Sequence, residues 1–169
     1  FKSDDPYDGP LLSGLPLDFD CKDDLELARQ EALKTIQYFE RLGVSSGITI
    51  LFTGMKGFRV FINRRVFDVR PHPYLCLVWK HIAKKLRSEL NLRTLDLQIY
   101  HRRAVTRLVN SFHTGSGLYC IPLSLNELRK LNINEIKDMA RNQKPFEYEA
   151  THKIQPCEKA VNLVNETIE

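Results

Sequence analysis

The stretch from Ile48 to Ile62 constrains the fold more than any other part of the chain. Ile48 to Phe52 is a short β-branched and aromatic run, Thr53-Gly54-Met55-Lys56-Gly57 is a glycine-bracketed turn, and Arg59 to Ile62 resumes the strand pattern. Two such runs joined through glycines predict an antiparallel hairpin, although this turn is longer than the two-residue minimum. Strand and helix patterns otherwise alternate along the chain, which by itself would suit a parallel sheet. The hairpin decides for an α+β domain over a doubly wound parallel one.

The elements around the hairpin are read from periodicity and punctuation. Residues 1–14, rich in Asp, Pro, Gly and Ser, form an irregular lead-in. Residues 15–20 alternate into a strand that ends at Asp20. Leu25, Ala28, Ala32, Ile36 and Phe39 make a helical stripe over residues 23–42, with Asp23 or Asp24 as cap and Gly43 as stop. Pro71 and Pro73 precede a second helix, whose apolar face carries Leu75, Val78, Trp79, Ile82, Leu86 and Leu90. Residues 95–100 and 118–121 look like strands. Ser124 with Glu127 and Asn132 with Glu135 are capping-box patterns for two short helices. The domain is expected over 15–145, with 146–169 as an extension or linker whose end, 157–168, is weakly helical.

A chain of 169 residues can bury a real core. Its net charge of +4 permits a nucleic-acid partner without requiring one. The distribution says more: Arg64, Arg65, Arg70, His101, Arg102, Arg103 and Arg107 crowd the middle, while the N-terminal segment through Asp24 is acidic. Cys21, Cys76, Cys120 and Cys157 are scattered with no CxxC, which argues against a zinc ribbon or a disulfide framework. His72, Cys76 and His81 fall in an amphipathic helical pattern, a poor setting for a metal. There is no signal peptide or apolar run of membrane-spanning length, so a cytoplasmic protein is expected. Its first residue is Phe1, not Met, which suggests a piece of a longer protein.

Four stretches carry chemistry. Asp18 and Asp20 stand at i and i+2 of a strand and so share a face. Two carboxylates side by side repel unless cations lie between them, and Mg²⁺ takes such hard oxygen ligands together with substrate phosphates. Asp96, between Leu95 and Leu97, adds a third acid that needs a cation, a hydrogen-bond partner or an exposed position. The turn Thr53 to Gly57 sets glycine backbone, a hydroxyl and the Lys56 ammonium beside one another, which suits a triphosphate, although it is not a Walker A motif. Arg107, Ser111 and His113 lead into the glycine-rich Thr114-Gly115-Ser116-Gly117, where Arg and His can bind a nucleotide's phosphates or sugar. Each stretch taken alone also has a plain reading: an exposed acidic strand end, a hairpin turn, a structural histidine. A Ser-His-Asp hydrolase built on Ser111 and His113 lacks the GxSxG elbow.

Taken in order, these stretches resemble the archaeo-eukaryotic primase superfamily of primase-polymerases, with the nearest likeness to small bacterial, mobile-element and CRISPR-associated members. Leu17-Asp18-Phe19-Asp20 resembles the family's hhDhD motif. Thr53-Gly54-Met55-Lys56-Gly57-Phe58-Arg59 resembles its sGxxGxH-like motif. Leu95-Asp96, followed by Arg107 and Asn110-Ser111-Phe112-His113-Thr114-Gly115-Ser116-Gly117-Leu118, resembles the third. The likeness spans roughly residues 10–145. Arg59 stands where the family usually has histidine, and no zinc-binding cluster interrupts residues 60–95.

The resemblance implies a catalytic core in which an RRM-like antiparallel sheet packs with an adjacent αβ unit. It implies two Mg²⁺ or Mn²⁺ ions held by the catalytic acids Asp18, Asp20 and Asp96, and an incoming NTP or dNTP held by Thr53, Gly54, Lys56, Arg59, Arg107, Ser111 and His113. The reaction implied is template-directed nucleotidyl transfer, as primer synthesis or primer extension, on single-stranded DNA. The chain would be fused to or associated with further replication, repair or defence domains. Arg64, Arg65, Arg102 and Arg103 are candidates for a template-backbone track, with a solvated basic face as the equal alternative. A nucleotide- or nucleic-acid-binding module without catalysis and a gap-filling repair polymerase are the competing functions.

Overall fold

The computed structural model describes residues 9–168. Most of the expected lead-in, with Asp4, Asp5 and Asp8, lies outside them.

The chain is a mixed α+β protein built on a four-stranded antiparallel sheet with, among the described residues, five α-helices. The strands are β1 (Leu15–Asp20), β2 (Ile48–Phe52), β3 (Gly57–Ile62) and β6 (Ile121–Leu123), in the order β1-β3-β2-β6. β2 and β3 are the expected hairpin, and β3 takes the centre because β1 pairs on its other edge. Two short strands, β4 (Phe112–His113) and β5 (Leu118–Tyr119), form a separate hairpin.

Register assigns every strand residue to a face. The rows Leu17–Val60–Ile50–Leu123 and Phe19–Phe58–Phe52–Ile121 point into the core, where none of their members is more than 6% exposed. Phe52 and Phe58 touch with ring centres 5.5 Å apart. α1 (Leu25–Leu42) covers this face against β1 and β3, and α2 (Leu75–Glu89) reaches β1. α1 starts where the Asp24 carboxylate accepts the Leu27 N–H at 2.9 Å, and it ends at Gly43, whose φ of 102° few other residues tolerate. A line of rings, Phe39, Phe67 and Trp79, joins α1 through the 3₁₀ turn Arg64–Phe67 to α2. Burying each such side chain contributes on the order of 1.5–3 kcal/mol.

α3 (Leu125–Lys130) and α4 (Ile133–Met139) open on the two capping boxes, Ser124 with Glu127 and Asn132 with Glu135. The closing segment forms α5 (Glu158–Ile168), which packs on α2 and on the 3₁₀ turn and buries Ala160, Leu163 and Val164 in the common core. No described helix is long and apolar enough to cross a membrane.

The strand expected at 95–100 does not form. Only Leu95 bridges β1, at Phe19, with hydrogen bonds from Asp20 N–H to Thr94 and from Asp96 N–H to Asp18. The Asp96 carboxylate then accepts the Gln98 N–H at 2.8 Å, and this side-chain turn bends the backbone off the sheet. The strand expected at 118–121 divides at Cys120, so that 118–119 joins β4 and 121–123 joins β2. Backbone bonds from Asn110 N–H to Cys120 and from Cys120 N–H to Ser111 make the crossover.

Candidate active site

The sheet's second face carries the row Asp18–Arg59–Leu51–Pro122. Above its β1–β3 edge lies a cleft of about 600 Å³. β1 supplies Asp18 and Asp20, the β2–β3 turn Thr53 and Lys56, and β3 Arg59; Arg107 and Ser111 come from the loop before β4, and His113 from β4 itself. Seven of the candidate residues from three separate stretches thus meet with Arg59 in one hollow.

The strongest contact in this cleft is a pair. Arg59 and Asp18 are direct cross-strand partners, and the guanidinium donates through Nε and Nη2 to the two carboxylate oxygens. The side chains are 12% and 9% exposed, so the pair is largely withdrawn from water. Burial works against the Arg59 charge, but Asp18 outweighs it and raises the guanidinium's pKa further. The guanidinium expected to hold a nucleotide is spent on a carboxylate expected to hold metal.

Asp20 differs from Asp18, two residues away. It stands at the exposed end of β1, opposite Gly57, and among the described residues it makes no ion pair. Partial desolvation by the cleft walls raises its carboxyl above the ordinary value, and the charges of Asp18 and Asp96 raise it further, against Lys56 and Arg59. Gly57 allows this corner to close, since a Cβ there would lie 1.7 Å from the Phe19 carbonyl oxygen.

Asp96 does not line the cleft; it sits beside β1 at the sheet's edge, near enough for its charge to act on Asp20. Its position is set from α1. The buried Glu31 carboxylate accepts the N–H groups of Arg93 and Thr94 and the Thr94 hydroxyl, each at 2.7 Å. Tyr100 adds a second tie, its hydroxyl donating to the Pro16 carbonyl at 2.6 Å. Glu31 was missed by sequence reasoning, although an acid between Ala28 and Ala32 on the helix's apolar stripe was the available signal.

The turn residues are committed to the turn. The Thr53 hydroxyl donates to the Gly57 carbonyl and accepts the Gly57 N–H, at 3.0 and 3.3 Å, so it closes the loop and leaves Lys56 exposed as the cation at its tip. Gly54 holds φ 86° with its backbone against Tyr119, and it lines a neighbouring hollow with Ser116 and Gly117 in place of the cleft. Ser116, part of the glycine-rich stretch but expected to have no role of its own, donates to the Gly54 carbonyl at 2.7 Å and pins the β4–β5 turn onto the β2–β3 turn. Its N–H meets His113 Nδ1 at 3.2 Å, so a neutral His113 carries its proton on Nε2. Ser111 donates its hydroxyl to the Leu108 carbonyl, the wrong arrangement for a nucleophile activated by His113.

The four arginines of the candidate track do not line the cleft. Arg64 and Arg65 belong to the 3₁₀ turn packed on α5. Arg102 and Arg103 line a shallow hollow with Tyr74, Leu77 and Tyr100, where Arg102 donates to the Gly9 and Pro73 carbonyls.

Among the described residues, no three His, Cys, Asp or Glu side chains converge as a ready metal cluster. The charge of the acidic corner nevertheless suits a divalent cation, which prefers hard oxygens and would relieve the repulsion from Asp18 and Asp96 that adds to desolvation in raising Asp20. Asp20 and Asp96 would hold it, and Asp18 would join them only on parting from Arg59. No protein-family model matches the chain, and no curated protein matches it in sequence.

Proposed function

We propose that the chain is a nucleotidyltransferase of the primase-polymerase kind, joining NTPs or dNTPs on a single-stranded DNA template. The observation that carries this reading is the juxtaposition, in one cleft, of the acidic end of β1 with the cations Lys56 and Arg107 and with His113. A nucleoside triphosphate has the complementary layout, a polyphosphate for the cations beside a reacting phosphoryl group whose charge a carboxylate-held metal ion would offset.

In this reading Lys56 and Arg107 take the phosphate charge, Arg107 by a fork that fits phosphate geometry. His113 offers Nε2–H to a phosphate or sugar oxygen while Ser116 fixes its ring. Thr53 and Ser111 shape the walls through their backbone bonds. Asp20 and Asp96, the latter anchored by Glu31, would hold Mg²⁺ or Mn²⁺, whose chemistry there would be charge stabilisation during nucleotidyl transfer. Template and primer are read by base pairing, so the protein contacts mostly backbone, with Arg64, Arg65, Arg102 and Arg103 as candidate contacts.

The Asp18–Arg59 pair favours a second reading, a nucleotide-binding module without catalysis, because it occupies one of the three acids. Incorporation on a single-stranded DNA template with Mg²⁺ or Mn²⁺, with and without primer, separates the two. The expected result is product that is lost in Asp20→Ala and in Asp96→Ala, both still folded by circular dichroism. Product without primer makes the chain a primase, and product only with primer makes it an extending or gap-filling polymerase. Nucleotide binding with no product under any condition selects the binding module. Product undiminished in both variants overturns the assignment of the acids.

A further inference from the structure

We infer that Arg59 is the resident cation of the acidic corner: its guanidinium and a divalent metal ion compete for the same Asp18 carboxylate. The inference rests on the nucleotidyl-transfer reading of the cleft and adds to it a device that sets when metal binds.

The pair is built into the sheet. Asp18 and Arg59 face each other across the β1–β3 ladder, inside both strands, so their approach is fixed by backbone pairing and not by a loop. Both carboxylate oxygens are engaged, which removes the direction from which a metal would most readily bind Asp18. The side chains retain 9% and 12% of their exposure, so little water screens the Arg59 charge from an incoming cation. Lys56, on the same cleft wall, adds a second positive charge near Asp20. A divalent ion approaching the cleft therefore meets one carboxylate already neutralised and two cations acting on Asp20.

The same geometry supplies the release. Arg59 lines the cleft that would take the triphosphate, and a guanidinium fork that grips a carboxylate through two N–H groups grips a phosphate in the same manner. When a polyphosphate enters, Arg59 has a second anionic partner within the cleft, and Asp18 becomes available to metal. Nucleotide and metal then favour each other's binding, as linkage requires. Arginine gives the exchange its character, because it stays charged at every physiological pH and cannot vacate Asp18 by losing a proton.

The test is Mn²⁺ binding to nucleotide-free protein, read by the electron paramagnetic resonance of free Mn²⁺ and by the metal-dependent shift in melting temperature. Arg59→Gln removes the competing charge, and Arg59→Lys keeps the charge but loses the fork. The expected result is Mn²⁺ binding at least tenfold tighter in Arg59→Gln than in wild type, with Arg59→Lys between them. The gain should vanish when Asp20→Asn is added. Arg59→Gln should also melt lower than wild type in chelator and recover more on adding Mn²⁺, because Asp18 then lacks its partner until metal arrives. If wild type and both variants bind Mn²⁺ within threefold of one another, and all lose it with Asp20→Asn, competition at Asp18 is overturned while the metal site stands. If no variant binds Mn²⁺ in an Asp20-dependent way, the inference falls together with the metal reading of the acids. Should Arg59→Gln fail to fold in chelator or Mn²⁺, the wild-type against Arg59→Lys comparison decides by the same criteria.

Discussion

On the helix-covered face of the sheet, the row Phe19–Phe58–Phe52–Ile121 is apolar from edge to edge; one residue along, on the open face, the row Asp18–Arg59–Leu51–Pro122 begins with an ion pair. The same four strands carry both rows. The covered face is held by contact and dehydration, which are tolerant of direction. The open face is held by a charge pair whose worth depends on both members being present, since either alone would be a poorly solvated ion. The contrast extends to the cleft: its acidic wall stands on strands, where position is fixed, while Lys56, Arg107 and Ser111 come from turns and loops. Strand pairing fixes Asp18, Asp20 and Arg59 together, whereas Lys56 and Arg107 stand on a turn and a loop.

The largest expected effect lies on the covered face. Phe58→Ala, at a fully buried position in van der Waals contact with Phe52, should cost about 3–5 kcal/mol in chemical denaturation. A cost below that of a surface change would break the distinction between the faces. Glu31→Ala comes next. It strands two N–H groups and a hydroxyl at the Arg93–Thr94 segment, and such buried losses run to about 1–3 kcal/mol per group left unsatisfied. Amide exchange at Thr94 and Asp96 should speed up more than exchange in β2, and under the proposed nucleotidyl-transfer reading nucleotide addition should fall although Glu31 lines no part of the cleft. Equal exchange in both places would mean that Asp96 is positioned by something else.

The smallest effect sharpens the comparison within β1. The Asp20 carboxyl is raised by desolvation and by Asp18. A carboxyl raised in the folded state stabilises the fold while protonated, and that contribution is lost as pH climbs through the raised value. In chelator at neutral pH, Asp20→Asn should therefore melt slightly higher than wild type, by an amount that solvent screening keeps small. The gain should disappear below the ordinary carboxylate value of 3.8, where wild type is protonated in both states. Saturating Mn²⁺ should reverse the order of the two proteins. A gain that persists in strong acid would show that Asp20 is not strained by charge.

Much of the local structure was legible because its causes are local. The α1 stripe, its Asp24 cap and Gly43 stop, the β2–β3 hairpin and the two capping boxes each depend on residues within a turn or two of one another. The segment 95–100 misled because Leu95, Leu97 and Ile99 alternate as a strand does, while a single side chain, Asp96, takes the Gln98 N–H and turns the chain. Cys120 gave no sign of being the point where 118–123 leaves one sheet for another, since the partners that divide it, Asn110 and Ser111, lie nine or more residues away.

The amino-acid sequence by itself determined which residues carry charge and chemistry, and which short segments are helix, strand or turn, because propensity, capping and periodicity act over a few residues. It placed Asp18 and Asp20 on one face of a strand and Lys56 on a turn. Only the tertiary structure decided what those groups do to one another. The pairing of β1 with β3 across a separation of 41 positions sets Arg59 against Asp18 and leaves Asp20 crowded, and Glu31, reaching from α1 over 63 positions to Thr94, brings Asp96 to the sheet's edge. Charges interact through space, and the distance between them is fixed by the fold.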